Sequence, residues 1–492
     1  MNAFAEFSRQ PAAVDGGSLD PADWPAFRRL AHEMLDAALD SLATVRQRPV
    51  WRPVPEAVKQ ALTEPLPRAG QGAARTARDC AELILPYGTG NTHPRFFGWV
   101  HGSGTAGGVV AEMLAAAMNA NVGGRDHGAV YVERQVIQWF CELFALPAEA
   151  GGLLVSGTSM AHQVALTVAR NHKAGRDVRQ DGLGAVPLVA YSSSEAHGSL
   201  AKAFETLGLG RKALRTVAVD ASRRIDLAAL RRRIEADLAQ GLRPFCVVGT
   251  AGTVNTGAVD DLSALAAVCR DYGLWFHVDG AFGALAVMSE RLAPLVRGIE
   301  QADSIAFDFH KWLHVPYDAG CVLIRDSALQ LGAFSARHDY LAAAPRGLAG
   351  ANPWFCEYGP EMSRGFRALK VWFTLKEHGV ERLGRKIEEN CRQAAYLADR
   401  VRREPALEPM AAGPLNIVCF RYAPSMAPEA ALDRLNEAIV ADLQETGIAA
   451  PSTTRLDGRL AIRVAITNHR SRLEDFDLLV DAVLRLGAAR AH

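Results

Sequence analysis

Two short apolar runs, Leu274–Val278 and Ser304–Phe309, most constrain what this chain can fold into. Each is the length of a strand, and largely apolar character is what a parallel sheet covered on both faces requires of its strands. Each also ends in residues that a buried strand has no packing reason to carry: Asp279 after the first, His310–Lys311 after the second. Singly, such an Asp reads as a helix N-cap and such a Lys as a solvated charge. In an open α/β sheet, however, ligands sit just beyond the carboxyl ends of the strands, and an acid and a lysine delivered to that rim form a site. Their best joint use is to hold pyridoxal phosphate, with the lysine forming the Schiff base and the carboxylate pairing with the pyridinium nitrogen.

The surrounding pattern agrees with such a sheet. Strand-like and helical stretches alternate from 151 to 325, which predicts an α/β fold with a mostly parallel sheet and helices on both faces. GGLLVSGTSMAHQVALTVARNHKAG (151–175) reads as strand, tight turn, helix, with Gly157, Thr158 and Ser159 in the turn. Backbone N–H groups at a helix N-terminus plus two hydroxyls make a natural phosphate cradle, although a Ser/Thr N-cap looks much the same without a ligand. PLVAYSSSEAHGSLAKAFETLG (187–208) repeats the layout with His197 at the turn. RPFCVVGTAGTVNTGAVDD (243–261) runs into a Gly/Thr loop containing Thr253 and then a helix Asp261–Tyr272, with Asp260 or Asp261 as its cap and Gly273 as its stop. A long amphipathic helix is expected over 364–384. Strand Leu415–Arg421, helix Glu429–Glu445, strand Leu460–Ile466 and helix Leu473–Leu486 then complete a small α+β domain.

Composition excludes several classes of partner. The 492 residues are 49% hydrophobic and 22% charged, with a formal net charge of zero, so nothing points to nucleic acid or an anionic membrane. The eight cysteines are isolated, without C-x-x-C, which fits reduced thiols better than disulfides or a metal site. No signal peptide or membrane-length apolar run is present, and the reading is a soluble, cytoplasmic protein. No G-x-G-x-x-G follows a strand in the setting a dinucleotide enzyme needs.

The segments HPRFF (93–97), SEAHGS (194–199), HVDGAFGA (277–284) and ADSIAFDFHKW (302–312) together resemble the group II pyridoxal-phosphate decarboxylases, the family of aromatic-amino-acid, histidine and glutamate decarboxylases. Further matches extend from about residue 90 to 470. The resemblance implies fold type I, the aspartate-aminotransferase-like architecture, in three parts: an N-terminal helical segment (1–90) packing on a partner subunit, a large cofactor-binding α/β domain (91–360) and a small C-terminal α+β domain (361–492). It implies a homodimer with shared active sites and a small amino acid as substrate. Lys311, His197, Asp279 and His310 are the expected catalytic residues, with His197 stacking on the pyridine ring. Gly157, Thr158, Ser159, Thr253, Ala281 and Asp308 are the expected further cofactor contacts. Trp99 and His101, in the glycine-rich loop after HPRFF, face the substrate.

The expected reaction is decarboxylation of an L-amino acid. A site that holds the carboxylate perpendicular to the ring, in a dry pocket, favours loss of carbon dioxide. Aromatic residues in HPRFFGW favour a bulky or aromatic side chain, while His101, Arg125 and His127 leave room for an acidic substrate such as glutamate. Relatives usually carry a loop tyrosine that returns a proton to Cα; here Phe355 falls at about that position, with Tyr340 and Tyr358 out of register. Such a replacement is associated with oxidative deamination to an aldehyde, the main alternative outcome. Asp308 stands where many relatives have asparagine, and little effect is expected of it. A cofactor-binding scaffold without activity is the non-enzymatic reading, against which the intact Asp279–Lys311–His197 set stands.

Overall fold

The computed structural model describes residues 18–175, 177–336, 344–424 and 427–490. Tyr340 lies outside the described residues. The described chain divides into two compact units, one of residues 18–44 and 53–88, the other of residues 45–52 and 89–490.

The first unit is helical: α1 (Trp24–Ala43), α2 (Glu56–Ala61) and α3 (Ala73–Asp79). Asp23 caps α1 by accepting the Ala26 N–H, and Pro25 occupies its first turn, where a missing N–H is harmless. No residue of α1 is buried, and its apolar side chains Trp24 and Phe27 stand exposed.

The second unit is built on two sheets. It begins with β1 (Phe96–Phe97), α4 (Ala106–Met118) and α5 (Gly128–Leu143). The large sheet follows, made of β2 (Gly151–Val155), β3 (Leu188–Ser193), β4 (Leu214–Val217), β5 (Arg243–Thr250), β6 (Trp275–Asp279), β7 (Ser304–Asp308) and β8 (Gly320–Ile324). Its spatial order is β2-β8-β7-β6-β5-β3-β4, and only β8 pairs antiparallel to its neighbours. Every residue of β6, β7 and β8 is buried, so this sheet is covered on both faces. The covering helices include α6 (Thr158–Lys173), α7 (Gly198–Thr206), α8 (Leu227–Ala239) and α9 (Leu262–Tyr272), whose apolar residues join the sheet in one core. Asp261, not Asp260, caps α9 by accepting the Ala264 N–H, and Gly273 ends it at φ +64°. Asp260 instead accepts the backbone N–H groups of Ile225 and Thr250.

A single helical turn, α10 (Phe309–Trp312), follows β7, and α11 (Ser327–Phe334) follows β8. The helix expected over 364–384 is two helices, α12 (Ala368–His378) and α13 (Val380–Arg402), separated by Gly379 at φ +74°. A right-handed helix cannot pass through that backbone conformation, and glycine is the residue that adopts it freely. The second sheet has order β1-β11-β12-β10-β9, with β9 (Leu407–Ala412), β10 (Ile417–Tyr422), β11 (Ala450–Leu456) and β12 (Arg459–Ala465). Helices α14 (Glu429–Glu445) and α15 (Leu473–Arg490) lie with it around a second core centred on Phe420, Ile462 and Phe476. Among the described residues no helix is long and apolar enough to cross a membrane.

Candidate active site

The carboxyl ends of β6 and β7 deliver the residues that the apolar runs pointed to. Asp279 is the last residue of β6, Asp308 the last of β7, and α10 then carries His310 and Lys311. A cavity of about 300 Å³ opens at this rim. Its wall includes Trp99, His101, His197, Asp279, Ala281 and Lys311, joined by Glu195, Thr250, Val254, Phe282 and Tyr317. A volume of that order suits a small ligand.

The two carboxylates differ in their partners. Asp279 Oδ1 accepts the Ala281 N–H at 3.1 Å, and Oδ2 lies 3.4 Å from His162 Nε2. Burial opposes ionisation of Asp279, but His162, the Ala281 N–H and the more distant Lys311 outweigh it and hold the carboxyl well below its ordinary range. Asp308 accepts the Lys311 ammonium at 2.8 Å and the Thr158 N–H at 2.7 Å, with His310 Nε2 at 3.7 Å. Burial again opposes ionisation, and Lys311, His310 and the Thr158 N–H reverse it, so this carboxyl too is held low. Asp308, expected to matter little, is thus the direct partner of Lys311.

His197 is the N-cap of α7, its Nδ1 accepting the Ser199 N–H at 3.2 Å. With Nδ1 accepting, the neutral ring carries its proton on Nε2. Burial lowers its pKa, with Asp279 acting in the opposite sense. His310 Nδ1 accepts the Ala319 N–H at 3.1 Å, and its ring lies over Tyr317 with centroids 4.2 Å apart. Burial keeps His310 below the ordinary histidine value, with Asp308 pulling the other way. Trp99 and His101 adjoin each other with ring centroids 5.8 Å apart, and Trp99 takes a left-handed backbone at φ +50°.

The turn before α6 approaches this rim closely. A Cβ on Gly157 would stand 3.3 Å from His310 Cε1, and one on Gly320 would stand 2.5 Å from Gly157 Cα and 2.7 Å from Asp308 Oδ1. The Thr158 N–H is already given to Asp308, but its buried hydroxyl has no partner among the described residues, and neither has the hydroxyl of Thr250. The orphaned Thr158 hydroxyl, at the N-terminus of a sixteen-residue helix, is what a bound phosphate would satisfy. Ser159 is exposed in the same turn.

Two expected residues are not themselves on the cavity wall, although Gly252 and Val254, either side of the first, are. Thr253 accepts the Ala258 N–H at 3.1 Å and bonds Thr256 Oγ1 at 3.1 Å, so its hydroxyl serves its own turn; Thr250 is the threonine on the cavity wall. Phe355 is buried in a different cleft, with Cys141 and Tyr358, and the Arg364 guanidinium lies 5.1 Å from its ring centroid. Within one chain it is not beside Lys311. Sequence reasoning also missed His162 and Arg463. Arg463 is buried in β12, its Nη1 donating to the Trp99 carbonyl at 2.9 Å, while its Nη2 has no partner among the described residues. Burial without a carboxylate partner pushes this guanidinium down to about 10. An arginine inside the apolar run LAIRVAI was the available signal.

A family model described as the pyridoxal-dependent decarboxylase conserved domain matches residues 55–423. The chain belongs to this family. It is 34% identical to the aromatic-L-amino-acid decarboxylase of Bacillus atrophaeus over 91% of this chain and 92% of that protein. It is 31% identical to the L-2,4-diaminobutyrate decarboxylase of Rhizobium meliloti, covering 85% of this chain and 83% of that one. Among solved structures it is similar to Oryza sativa TDC with PLP and tryptamine, with a TM-score of 0.88 and 25% identity over 96% of this chain and 100% of that one. The protein is a pyridoxal-phosphate-dependent amino acid decarboxylase of fold type I.

The decarboxylase's own residues fit that cofactor. Thr158 could meet its phosphate, Lys311 its aldehyde and Asp279 its ring nitrogen. When bound, the cofactor supplies an electron sink for the pair released as a bond at the substrate's Cα breaks. Among the described residues no group of three or more His, Cys, Asp or Glu is placed to hold a metal ion.

Proposed function

We propose that this decarboxylase acts on an aromatic or otherwise bulky L-amino acid and releases the amine. In this reading Lys311 carries the cofactor covalently, Asp279 faces the ring nitrogen and His197 lies against the ring. The Gly157–Ser159 turn holds the phosphate, Ala281 and His310 flank the cofactor, and Trp99 and His101 meet the substrate. The observation that carries the substrate class is the cavity wall, where Trp99, His101, Phe282 and Tyr317 present rings and Val254 an aliphatic surface. Such a wall excludes water from the substrate carboxylate, so the hydration that stabilises the anion is lost before carbon dioxide departs.

Glu195 argues against a second carboxylate on the substrate. It stands on the same wall, fixed by Asn255 Nδ2 at 2.9 Å with Arg223 Nη1 at 3.7 Å. An acidic side chain would meet a like charge there. L-2,4-diaminobutyrate, the substrate named for one relative, is the informative competitor, because Glu195 could face its side-chain amine.

Exposed apolar surface supports a homodimer. Helix α4 leaves Met113, Leu114 and Met118 uncovered, and α1 leaves Trp24 and Phe27 uncovered. Scattered single residues would mean little, but three on one helix make a patch that association would bury. Light scattering of the holoenzyme is expected to give twice the chain mass; a monomer would remove the shared-site reading.

Activity is tested by incubating the holoenzyme with a panel of L-amino acids while measuring carbon dioxide, amine, aldehyde and oxygen together. Carbon dioxide with equimolar amine and no oxygen uptake, strongest for aromatic substrates, is the expected result. Preference for glutamate or diaminobutyrate would overturn the substrate class. Aldehyde with matched oxygen consumption would overturn the amine product and bring Phe355 back into the account.

A further inference from the structure

We propose that His162 is a positioning residue that holds the Asp279 carboxylate toward the cofactor's ring nitrogen, as the last member of a buried hydrogen-bonded relay. The inference rests on the role proposed above for Asp279. Four buried residues form the relay: Trp275, His277, Ser304 and His162. They come from the start and middle of β6, the start of β7 and the first turns of α6.

The direction of the relay follows from the donor inventory. Trp275 Nε1 can only donate, and it gives its hydrogen to Ser304 Oγ at 2.8 Å. The serine hydroxyl is then free to donate to His277 Nδ1, also at 2.8 Å. A neutral His277 accepting at Nδ1 carries its proton on Nε2, which lies 2.9 Å from His162 Nδ1. His162, accepting at Nδ1, then bears its own proton on Nε2, 3.4 Å from Asp279 Oδ2. His162 Nε2 makes no shorter contact to compete with this one: among the described residues it has no hydrogen-bond partner, and the Asp279 carboxylate at 3.4 Å is its ionic neighbour.

The reversed relay fails at its far end. It would put an unprotonated His162 Nε2, with its lone pair, against a buried carboxylate at that same distance. Electrostatics in a dry interior disfavour this strongly. Full burial also keeps His277 neutral by pushing it down to about 3, and the nearby His162 acts in the same sense. The tautomer of His162 is therefore set by groups two and three residues along the relay.

The result is a carboxylate met on both oxygens, by the Ala281 N–H on Oδ1 and by the His162 Nε2–H on Oδ2. Held from both oxygens and kept ionised, the carboxylate is oriented toward a protonated ring nitrogen. The contact of 3.4 Å is longer than a tight hydrogen bond, which leaves the carboxylate room to settle on the ring.

Two substitutions at this position separate positioning from packing. His162→Phe keeps the ring volume and removes the donor; His162→Gln places an amide N–H near the position of Nε2. The measurements are cofactor affinity by equilibrium dialysis, the visible absorption band of bound cofactor, and kcat separately from KM. His162→Phe is expected to shift the band as ring-nitrogen protonation is lost, to weaken cofactor binding and to lower kcat about tenfold with KM little changed. His162→Gln is expected to recover the band and most of kcat.

A His162→Phe protein with the band and kcat of the parent would overturn the inference, as would a His162→Gln protein that folds but behaves like His162→Phe. Asp279→Asn, measured alongside, separates the two readings. If it leaves the band unmoved, the role of Asp279 itself fails; if it moves the band while His162→Phe does not, only the role of His162 fails. Should both His162 variants fold poorly, nitrogen NMR of histidine-labelled parent protein decides, because the inference requires His162 protonated on Nε2 and is overturned by a proton on Nδ1.

Discussion

Asp279 and Asp308 end neighbouring parallel strands and are both buried, yet the molecule treats them in opposite ways. Asp308 is tied to an ammonium, Lys311 Nζ at 2.8 Å, and to the Thr158 N–H. Asp279 has no lysine or arginine against it among the described residues and is met instead by the Ala281 N–H and by His162 Nε2 at 3.4 Å. Both arrangements keep a carboxylate ionised in a place where burial alone would protonate it. They leave different things behind. The charge of Asp308 is met inside the protein and serves to orient a lysine; the charge of Asp279 is left for something that enters the cavity. The partner of a buried acid, more than its depth, decides whether it is structural or available.

The largest effect that tests this contrast is expected from Lys311→Ala. Turnover should fall by about a thousandfold or more, since a covalent attachment point is removed. Borohydride treatment should no longer fix cofactor to the chain, as read by mass spectrometry; cofactor still fixed would assign the attachment to another lysine. Asp279→Asn should come next, with kcat lower by about a hundredfold from the loss of one preorganised charge. Carbon dioxide release at saturating substrate measures it.

Acid stability should separate the carboxylates from the buried histidines. His277 and His314 are each pushed down to about 3, chiefly by burial. The unfolded chain therefore takes up their protons first, near pH 6.5, and stability present above that value is lost as the pH falls. Each such histidine removes roughly 2 kcal/mol by about pH 5. Asp279 and Asp308 are held below the ordinary range, so their contribution is present above the unfolded carboxyl value near pH 4 and is lost only as the pH falls below it. Urea midpoints between about pH 8 and 3 should show these two phases, and Asp308→Asn should weaken only the lower one.

Gly320→Ala tests the close approach beside Asp308. Its methyl would meet Gly157 Cα at 2.5 Å and Asp308 Oδ1 at 2.7 Å, and a loss of roughly 1–3 kcal/mol in unfolding free energy is expected. Asp308→Asn should give the smallest functional change, less than about tenfold in cofactor affinity, because the amide oxygen still accepts the Thr158 N–H. If its effect on kcat exceeds that of Asp279→Asn, the contrast between the two acids is inverted.

Much of the large sheet was legible because its strands follow simple rules. Short apolar runs gave β6 and β7 to within a residue at either end, and the stop of α9 was readable in Gly273 and its cap to within Asp260 or Asp261. The second sheet was less legible. β11, APSTTRL, has neither apolar alternation nor an apolar run, and it is a strand because β1 and β12 flank it. Gly379 looked tolerable within one long helix, and only the backbone reveals that it separates two. In the site, Thr253 was expected from the family resemblance, and only the packed structure shows that its hydroxyl is engaged by its own turn while Thr250 lines the cavity.

The sequence by itself determined that an acid and a lysine would emerge at one rim. A buried strand holds no unpaired charge in its middle, so an acid or lysine at its end falls at the rim of the sheet, and parallel strands put such ends side by side. It did not determine which acid the lysine would meet. That was decided by α10, whose single turn folds Lys311 back onto Asp308 three residues earlier and leaves Asp279 to a different partner. Nor could it bring His162 to His277, which lie 115 residues apart and meet only because α6 lies across β6. Burial demands that each such group find a partner; only the packed structure chooses which one.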